Sequence, residues 1–213
     1  MIPSIIHQIW LDPPIDPKAI PYMNISKTMS NEYKLWTSEN VWNEIGKTRE
    51  EFAQYWNLDL TNAVGLSDVL RVLLIKKLGG WYVDSDVEIF KNVDDYKNNS
   101  FVTNTEYSPV RVNKVKVKKK FKEKEVIVPD TAIANEFFGS KPDHPFLILL
   151  IERMEEQKNS NIHWTRTIGY LMFWETIKNY KGYDITYLSK ERSAVFMKHH
   201  FFNSWCSKYG EGK

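Results

Sequence analysis

Two aspartates separated by one residue, Asp84 and Asp86, are the clearest chemical signal in this chain. Hard divalent cations such as Mg²⁺ and Mn²⁺ take oxygen ligands, commonly one or two carboxylates plus substrate phosphates. An Asp-x-Asp pair at the end of a strand puts both carboxylates on one side, a pleat apart. The motif alone occurs by chance in a chain of 213 residues, so its surroundings carry the weight. Tyr82 lies two residues earlier on the same strand face, where its ring could pack against a ribose or base. Asp68 and Arg71 are three apart and therefore neighbours on a helix. Such a pair serves either as a structural ion pair or as a grip on sugar hydroxyls, with Arg71 orienting Asp68 or binding a diphosphate. Burial without partners for both charges is costly.

The elements that must hold these groups follow from the pattern around them. Ser67 is a suitable helix N-cap with Asp68 in the first turn, and Leu70 to Ile75 make the helix apolar nearly all round. Lys76 and Lys77 suit its C-terminal end, Gly79-Gly80 stop it, and a strand over 81–84 follows. Upstream, Ser4–Trp10 predicts a buried strand bounded by prolines, and Tyr33–Thr37 a second. Thr48 and Glu51 have the capping-box spacing, predicting a helix to about Trp56. Downstream, strands are predicted at 101–104, 184–188 and 194–198, with helices over 143–158, capped by Asp143, and 165–179. Val110 to Val128 alternates Val with Lys and predicts a hairpin with a solvated face. Strands and helices alternate early, which argues for an α/β fold with a mostly parallel sheet, and ligands gather at the carboxyl ends of such strands. No internal repeat or linker divides residues 1–213, so one domain is expected.

The run from Ser67 to Glu88 resembles the DXD-containing sugar-binding region of glycosyltransferase family 32. That pattern is Ser-Asp, Arg three residues later, Gly-Gly, an aromatic and Asp-x-Asp. It is met here by Ser67, Asp68, Arg71, Gly79, Gly80, Tyr82, Asp84 and Asp86. Pro3–Trp10 is similar to the family's opening strand, Ser140–Phe146 to a run before a late helix, and His199–Trp205 to its closing loop. Thr167-Ile-Gly169 departs from the Thr-Gly-Pro of many relatives. The resemblance implies a GT-A fold, retention of anomeric configuration, a Mn²⁺ or Mg²⁺ cofactor and a nucleotide-diphosphate sugar donor. The acceptor would be a glycan or lipid-linked sugar of surface polysaccharide synthesis. It further implies that Asp84 touches ribose and donor sugar and reaches the metal through water, that Asp86 binds the metal directly, and that Trp10 stacks near the base. Asn203, Ser204 and Trp205 would contact the diphosphate. His200, three before Asn203, is chosen over His199 as the third metal ligand. Asn135 is a candidate to line the sugar pocket; it would equally satisfy backbone groups.

Composition sets the remaining bounds. A net charge of +2 excludes a general nucleic-acid-binding surface. One cysteine, Cys206, excludes an internal disulfide and a cysteine-rich zinc site. No apolar run approaches the roughly 20 residues that span a bilayer, and MIPSIIHQIW lacks a basic leader before a long apolar segment. A cytoplasmic domain is expected, with peripheral contact at the membrane through the Lys114–Lys124 hairpin, whose lysines would meet anionic lipid. Two alternatives stay open at this stage: a non-catalytic sugar or nucleotide binder, and a sugar-nucleotide hydrolase on the same fold.

Overall fold

A computed structural model describes residues 1–106, 132–182 and 184–201. In chain order the elements are β1 (Ile5–Ile9), α1 (Ile20–Ser26), β2 (Glu32–Trp36), α2 (Val41–Ile45), α3 (Arg49–Tyr55), α4 (Ala63–Leu78) and β3 (Gly80–Val83). They continue with β4 (Val87–Ile89), β5 (Phe101–Glu106), β6 (Ala132–Ser140), α5 (Pro145–Gln157), α6 (Trp164–Thr167) and α7 (Tyr170–Asn179). The last are β7 (Ile185–Leu188), α8 (Lys190–Phe196) and β8 (Met197–His199).

Six strands form one sheet in the order β2-β1-β3-β6-β5-β7, and β4 pairs with β8 in a separate two-stranded ribbon. The β1–β2, β1–β3 and β5–β7 contacts are parallel; β6 runs against both of its neighbours. The predicted α/β architecture with a mostly parallel, helix-flanked sheet is therefore present. On one face Tyr82, Phe101 and Phe138 pack against Leu70 and Leu74 of α4, Phe146 of α5 and Phe173 of α7. On the other, Ile6, Trp81, Val83, Val102 and Phe137 pack against Phe196 and the β4 residues Val87 and Ile89.

The turn from α4 into β3 depends on its two glycines. Gly79, at φ +68°, caps the helix by donating its N–H to the Ile75 carbonyl. Gly80, at φ +92°, lies so close to β1 that an added Cβ would sit 2.7 Å from the Ile5 carbonyl oxygen. A side chain at either position would be strained, and at Gly80 it would also push β3 off β1.

Several predicted boundaries are corrected. The cap of α4 is Asn62, not Ser67: its Oδ1 accepts the Gly65 N–H at 2.9 Å, and nothing in Ala63–Leu66 stops a helix from starting there. Asp68 consequently lies beyond the first turn. His144, not Asp143, caps α5, with Nδ1 accepting the Phe146 N–H, while Asp143 adopts φ +50° and pairs with Lys76. The helix predicted over 165–179 is two helices, broken at Ile168-Gly169. Most of the strand predicted over 194–198 is helical, because Ser189 caps α8 and only Met197–His199 is extended. The elements α1, α2, β4 and β6 were not anticipated. The capping box at Thr48 and Glu51 is present as expected. The Val110–Val128 hairpin, with Lys114–Lys124, lies outside the described residues. Among the described residues no helix is long and apolar enough to cross a membrane.

His7 locks β1 to its neighbours. Its Nδ1 accepts from Trp36 Nε1 and its Nε2 faces the Gly79 carbonyl, each at 3.0 Å, which only the neutral Nε2–H tautomer satisfies. Burial lowers its pKa to about 4, against the Gly79 bond, which favours the charged form. The unfolded chain protonates this histidine near 6.5, so its contribution to stability is complete above that pH and is lost as pH falls toward 4. Denaturant titrations of wild type and His7→Gln should show a stability gap that shrinks by roughly 3 kcal/mol over this range. A gap independent of pH would rule out the neutral-tautomer lock.

Candidate active site

The carboxyl ends of the parallel strands β1 and β3 open on the same edge of the sheet, and the candidate residues gather there. At the end of β3, the Asp84 N–H donates to the Glu136 carbonyl of β6, and the Val87 N–H closes a turn on the Asp84 carbonyl. Gln8 Nε2 also donates to that carbonyl at 3.2 Å, with Tyr33 Oη donating to Gln8 Oε1 behind it. The Asp84–Asp86 segment is thus held by backbone and side chain from three strands.

Beneath it lies a buried charge network. Arg71 Nη2 pairs with Asp68 Oδ1 at 3.1 Å, and Nη1 reaches Asp84 Oδ1 at 3.3 Å and the Asn135 carbonyl at 2.9 Å. Its Nε faces the Ser67 carbonyl at 3.4 Å, so all three nitrogens are committed within the protein. Asn135 Nδ2 donates to Asp68 Oδ1 at 2.8 Å. The Arg71 guanidinium lies 4.4 Å from the centre of the Tyr82 ring, whose hydroxyl donates to Asp84 Oδ1 at 2.5 Å. Burial opposes the charge on Arg71, but Asp84, Tyr82, Asp68 and Glu136 outweigh it and keep the guanidinium ionised. Burial raises Asp68 to about 6, resisted by Arg71, and raises Asp84 in the same way. A bound cation would pull Asp84 back down.

This arrangement narrows two expectations. Tyr82 is only 2% exposed and packs on Phe138, so it supports Asp84 from below and its ring is not presented to a ribose. Arg71 orients the two aspartates; with every nitrogen engaged, it is not laid open to a diphosphate. Asp68 Oδ2, by contrast, has no hydrogen-bond partner among the described residues; it lies against Gly169 on a side chain only 7% exposed.

Asp84, Asp86 and His199 bring one ligand atom each within 4.8 Å of one another. Among the described residues His199, not the His200 chosen from the sequence, is the histidine that stands beside both aspartates. The reason is register: β4 and β8 pair Val87 with His199, placing its Nε2 3.3 Å from Asp86 Oδ1. His200 turns the other way. Its Nε2 lies 2.9 Å from Glu88 Oε2, its ring stacks on Tyr22 at 4.3 Å, and its N–H donates to the Asp86 carbonyl. The pairing of 87–89 with 197–199 was the missing signal, and a three-residue ribbon is too short to leave a period in the sequence. Two carboxylates and an imidazole suit Mn²⁺ or Mg²⁺, with the nitrogen favouring Mn²⁺.

Trp10 stands half-buried just past β1, its Nε1 donating to the Asp12 carbonyl at 2.9 Å. Asn203, Ser204 and Trp205 lie outside the described residues. Of the predicted set, the structure brings together Asp68, Arg71, Tyr82, Asp84, Asp86 and Asn135.

Fold and site together resemble those of glycosyltransferases of the GT-A type. Residues 17–107, just under half of the chain, match the family described as glycosyltransferase sugar-binding region containing DXD motif. The resemblance to family 32 is thereby upheld; Asn135 and His199 fall beyond the matched segment. The chain is 27% identical over 189 residues to inositol phosphoceramide mannosyltransferase 2 of Schizosaccharomyces pombe, covering 84% of this chain and 48% of the relative. It is also 27% identical over 187 residues to uncharacterized glycosyltransferase L373 of Acanthamoeba polyphaga mimivirus, covering 84% and 66%. It thus spans from about half to two thirds of these relatives' lengths. Among solved structures, the PaToxG glycosyltransferase superposes with a TM-score of 0.58 at 16% identity, over 83% of this chain and 69% of that one.

The Glu88–His200–Tyr22 contacts hold β8 against β4 and so set where His199 points. Glu88→Gln should weaken Mn²⁺ binding about tenfold, the cost typical of a lost supporting partner, while leaving thermal stability nearly unchanged. Titration followed by Mn²⁺ electron paramagnetic resonance measures this, and unchanged affinity in a folded variant would show that the clasp does not position His199.

Proposed function

We propose that this chain is a metal-dependent retaining glycosyltransferase, one GT-A-like domain over residues 1–213. It moves a hexose from a nucleotide-diphosphate sugar to a glycan or lipid-linked acceptor. The observation that supports this most is the convergence of Asp84, Asp86 and His199 directly above the Asp68–Arg71–Asn135 network. A passive sugar binder has no need for a cation ligand set beside a carboxylate that faces sugar hydroxyls.

In this reading Asp84, Asp86 and His199 hold Mn²⁺ or Mg²⁺, which supplies charge neutralisation to the departing diphosphate. Asp68 accepts from donor hydroxyls through Oδ2, fixed in place by Arg71 and Asn135 on Oδ1. Asp84 is set by Tyr82 and Arg71 on Oδ1, which leaves Oδ2 for the cation. Trp10 lies at the mouth of the same strand edge, where a base would rest. The acceptor hydroxyl attacks the anomeric carbon as the bond to phosphate breaks. Its proton passes to the leaving phosphate on the same face, so retention requires no protein base.

The fission-yeast relative is by name a mannosyltransferase acting on inositol phosphoceramide. A nucleotide-activated mannose and a lipid-linked acceptor are therefore the first pair to test, ahead of the other hexose donors of surface polysaccharide synthesis. A lipid acceptor would suit a cytoplasmic domain held peripherally by Lys114–Lys124.

Asp86→Ala should lower turnover by about 10²–10³, the size expected for losing a main electrostatic stabiliser. Chelation should abolish wild-type activity and added Mn²⁺ should restore it. Product analysis with and without acceptor separates transfer from donor hydrolysis. Transfer close to wild type in a folded Asp86→Ala protein would reject the assignment. Asp68→Asn should weaken donor binding while sparing binding of the free nucleotide, read by calorimetry with each ligand.

A further inference from the structure

A cavity lies beside the α6–α7 junction, lined there by Thr167 and Ile168. It occupies about 210 Å³ between the loop after α3 and the loop joining α5 to α6. An apolar cavity of about 150 Å³ admits a benzene molecule, so this volume has room for one six-membered ring. Trp56 and Trp164 supply aromatic wall, and Asn57, Asp59, Lys158 and Thr167 supply polar groups.

The lining is preformed. Asn57 stands at φ +52° and its Nδ2 donates to the Lys158 carbonyl at 3.2 Å, tying the two loops together. The Lys158 ammonium rests 3.2 Å from the centre of the Tyr55 ring and 5.5 Å from that of Trp56. Asp59 Oδ1 accepts from the Thr61 N–H and hydroxyl at 2.7 and 2.6 Å, which holds it ionised and leaves Oδ2 as an acceptor. One carboxylate and one ammonium balance, so the lining selects neither a phosphate nor a cation. Indole wall for C–H faces, with amide, carboxylate and hydroxyl groups for O–H, matches an uncharged sugar ring.

Its position assigns a role. Thr167 and Ile168 line this cavity, and the next residue, Gly169, abuts the network: an added Cβ there would sit 3.0 Å from Asp68 Oδ2. Cavity and Asp68 thus meet successive residues of one segment, Thr167 and Ile168 for the cavity and Gly169 for the carboxylate. We propose that this cavity binds an uncharged hydroxylated ring of the acceptor; the acceptor role rests on the transferase reading above.

The test is direct binding, without donor, of methyl α-D-mannopyranoside, methyl α-D-glucopyranoside, methyl α-D-galactopyranoside and myo-inositol, by ligand-observed NMR and tryptophan fluorescence. At least one probe should bind saturably. Trp164→Ala and the surface variant Asp59→Ala should each weaken it roughly tenfold, the order expected for a lost stacking face or hydrogen bond. Both should keep the wild-type circular dichroism spectrum and metal-dependent donor hydrolysis. Failure of all four probes to bind wild type, or unchanged binding in both folded variants, overturns the site. Loss of donor hydrolysis in the variants overturns its assignment to the acceptor. Absence of donor turnover in wild type, with sugar binding intact, would sink the transferase reading and leave the cavity as a sugar site.

Discussion

The buried guanidinium of Arg71 is the contact on which the site depends. It joins α4 to the ends of β3 and β6 by reaching Asp68, Asp84 and the Asn135 carbonyl at once. Taking one cation and two carboxylates out of water is expensive, and is tolerated only where nearly every donor and acceptor finds a partner. Here Arg71 is engaged at every nitrogen, and the Tyr82 ring covers one face of the guanidinium plane. A lysine could not substitute, because a point charge on a flexible stem cannot serve three partners in a fixed fork. The result is a pair of carboxylates each held in place through Oδ1.

That network forms because of one departure from a parallel sheet. β6 runs antiparallel between β3 and β5, and its register against β5 slips between Thr103 and Thr105, so that residues 133–138 pass against 103–105. Such an irregularity re-aims side chains near a sheet edge. It lets Asn135 turn to Asp68 while its neighbour Glu136 is met by Asn104, whose Nδ2 donates to Glu136 Oε1 at 2.6 Å. The Glu136 carbonyl still receives the Asp84 N–H, so strand pairing and side-chain aim are satisfied together.

Legibility in the sequence follows the range of the interaction. Asp68, Arg71, Tyr82, Asp84 and Asp86 sit within one helix–turn–strand, where spacing and glycine placement fix relative geometry. Their grouping could be read directly, as could β1, β2, α3 and the parallel character of the sheet. Boundaries set by competing caps could not: Asn62 and Ser67 offer the same chemistry, as do Asp143 and His144, and only tertiary context chooses between them. The burial of Tyr82 could not be read, because strand alternation tells which face a ring is on and not whether that face is covered. The choice between His199 and His200 needed a pairing across more than a hundred residues, between two strands of three residues each. Nothing local marks such a ribbon. Asn135 stood out only as a polar residue in an apolar run, and the slipped register that gives it purpose has no sequence signature.

The placement of His199 has an energetic consequence. Asp84 and Asp86 belong to the edge of the main sheet, whereas His199 is carried by a ribbon whose partner strand, β4, begins one residue after Asp86. A cation that takes ligands from both must bind more tightly when β8 is docked, and by reciprocity must stabilise the docked state. Docking is built from few backbone pairs, so contacts such as His200 on Glu88 and Tyr22 weigh heavily in the balance. Phe201, at φ +50° and with its ring tilted against that of His199 at 4.0 Å, adds a further constraint on the same segment. Affinity for a cation at Asp84, Asp86 and His199 would therefore depend on how β8 docks beside the aspartates, as much as on the aspartates themselves.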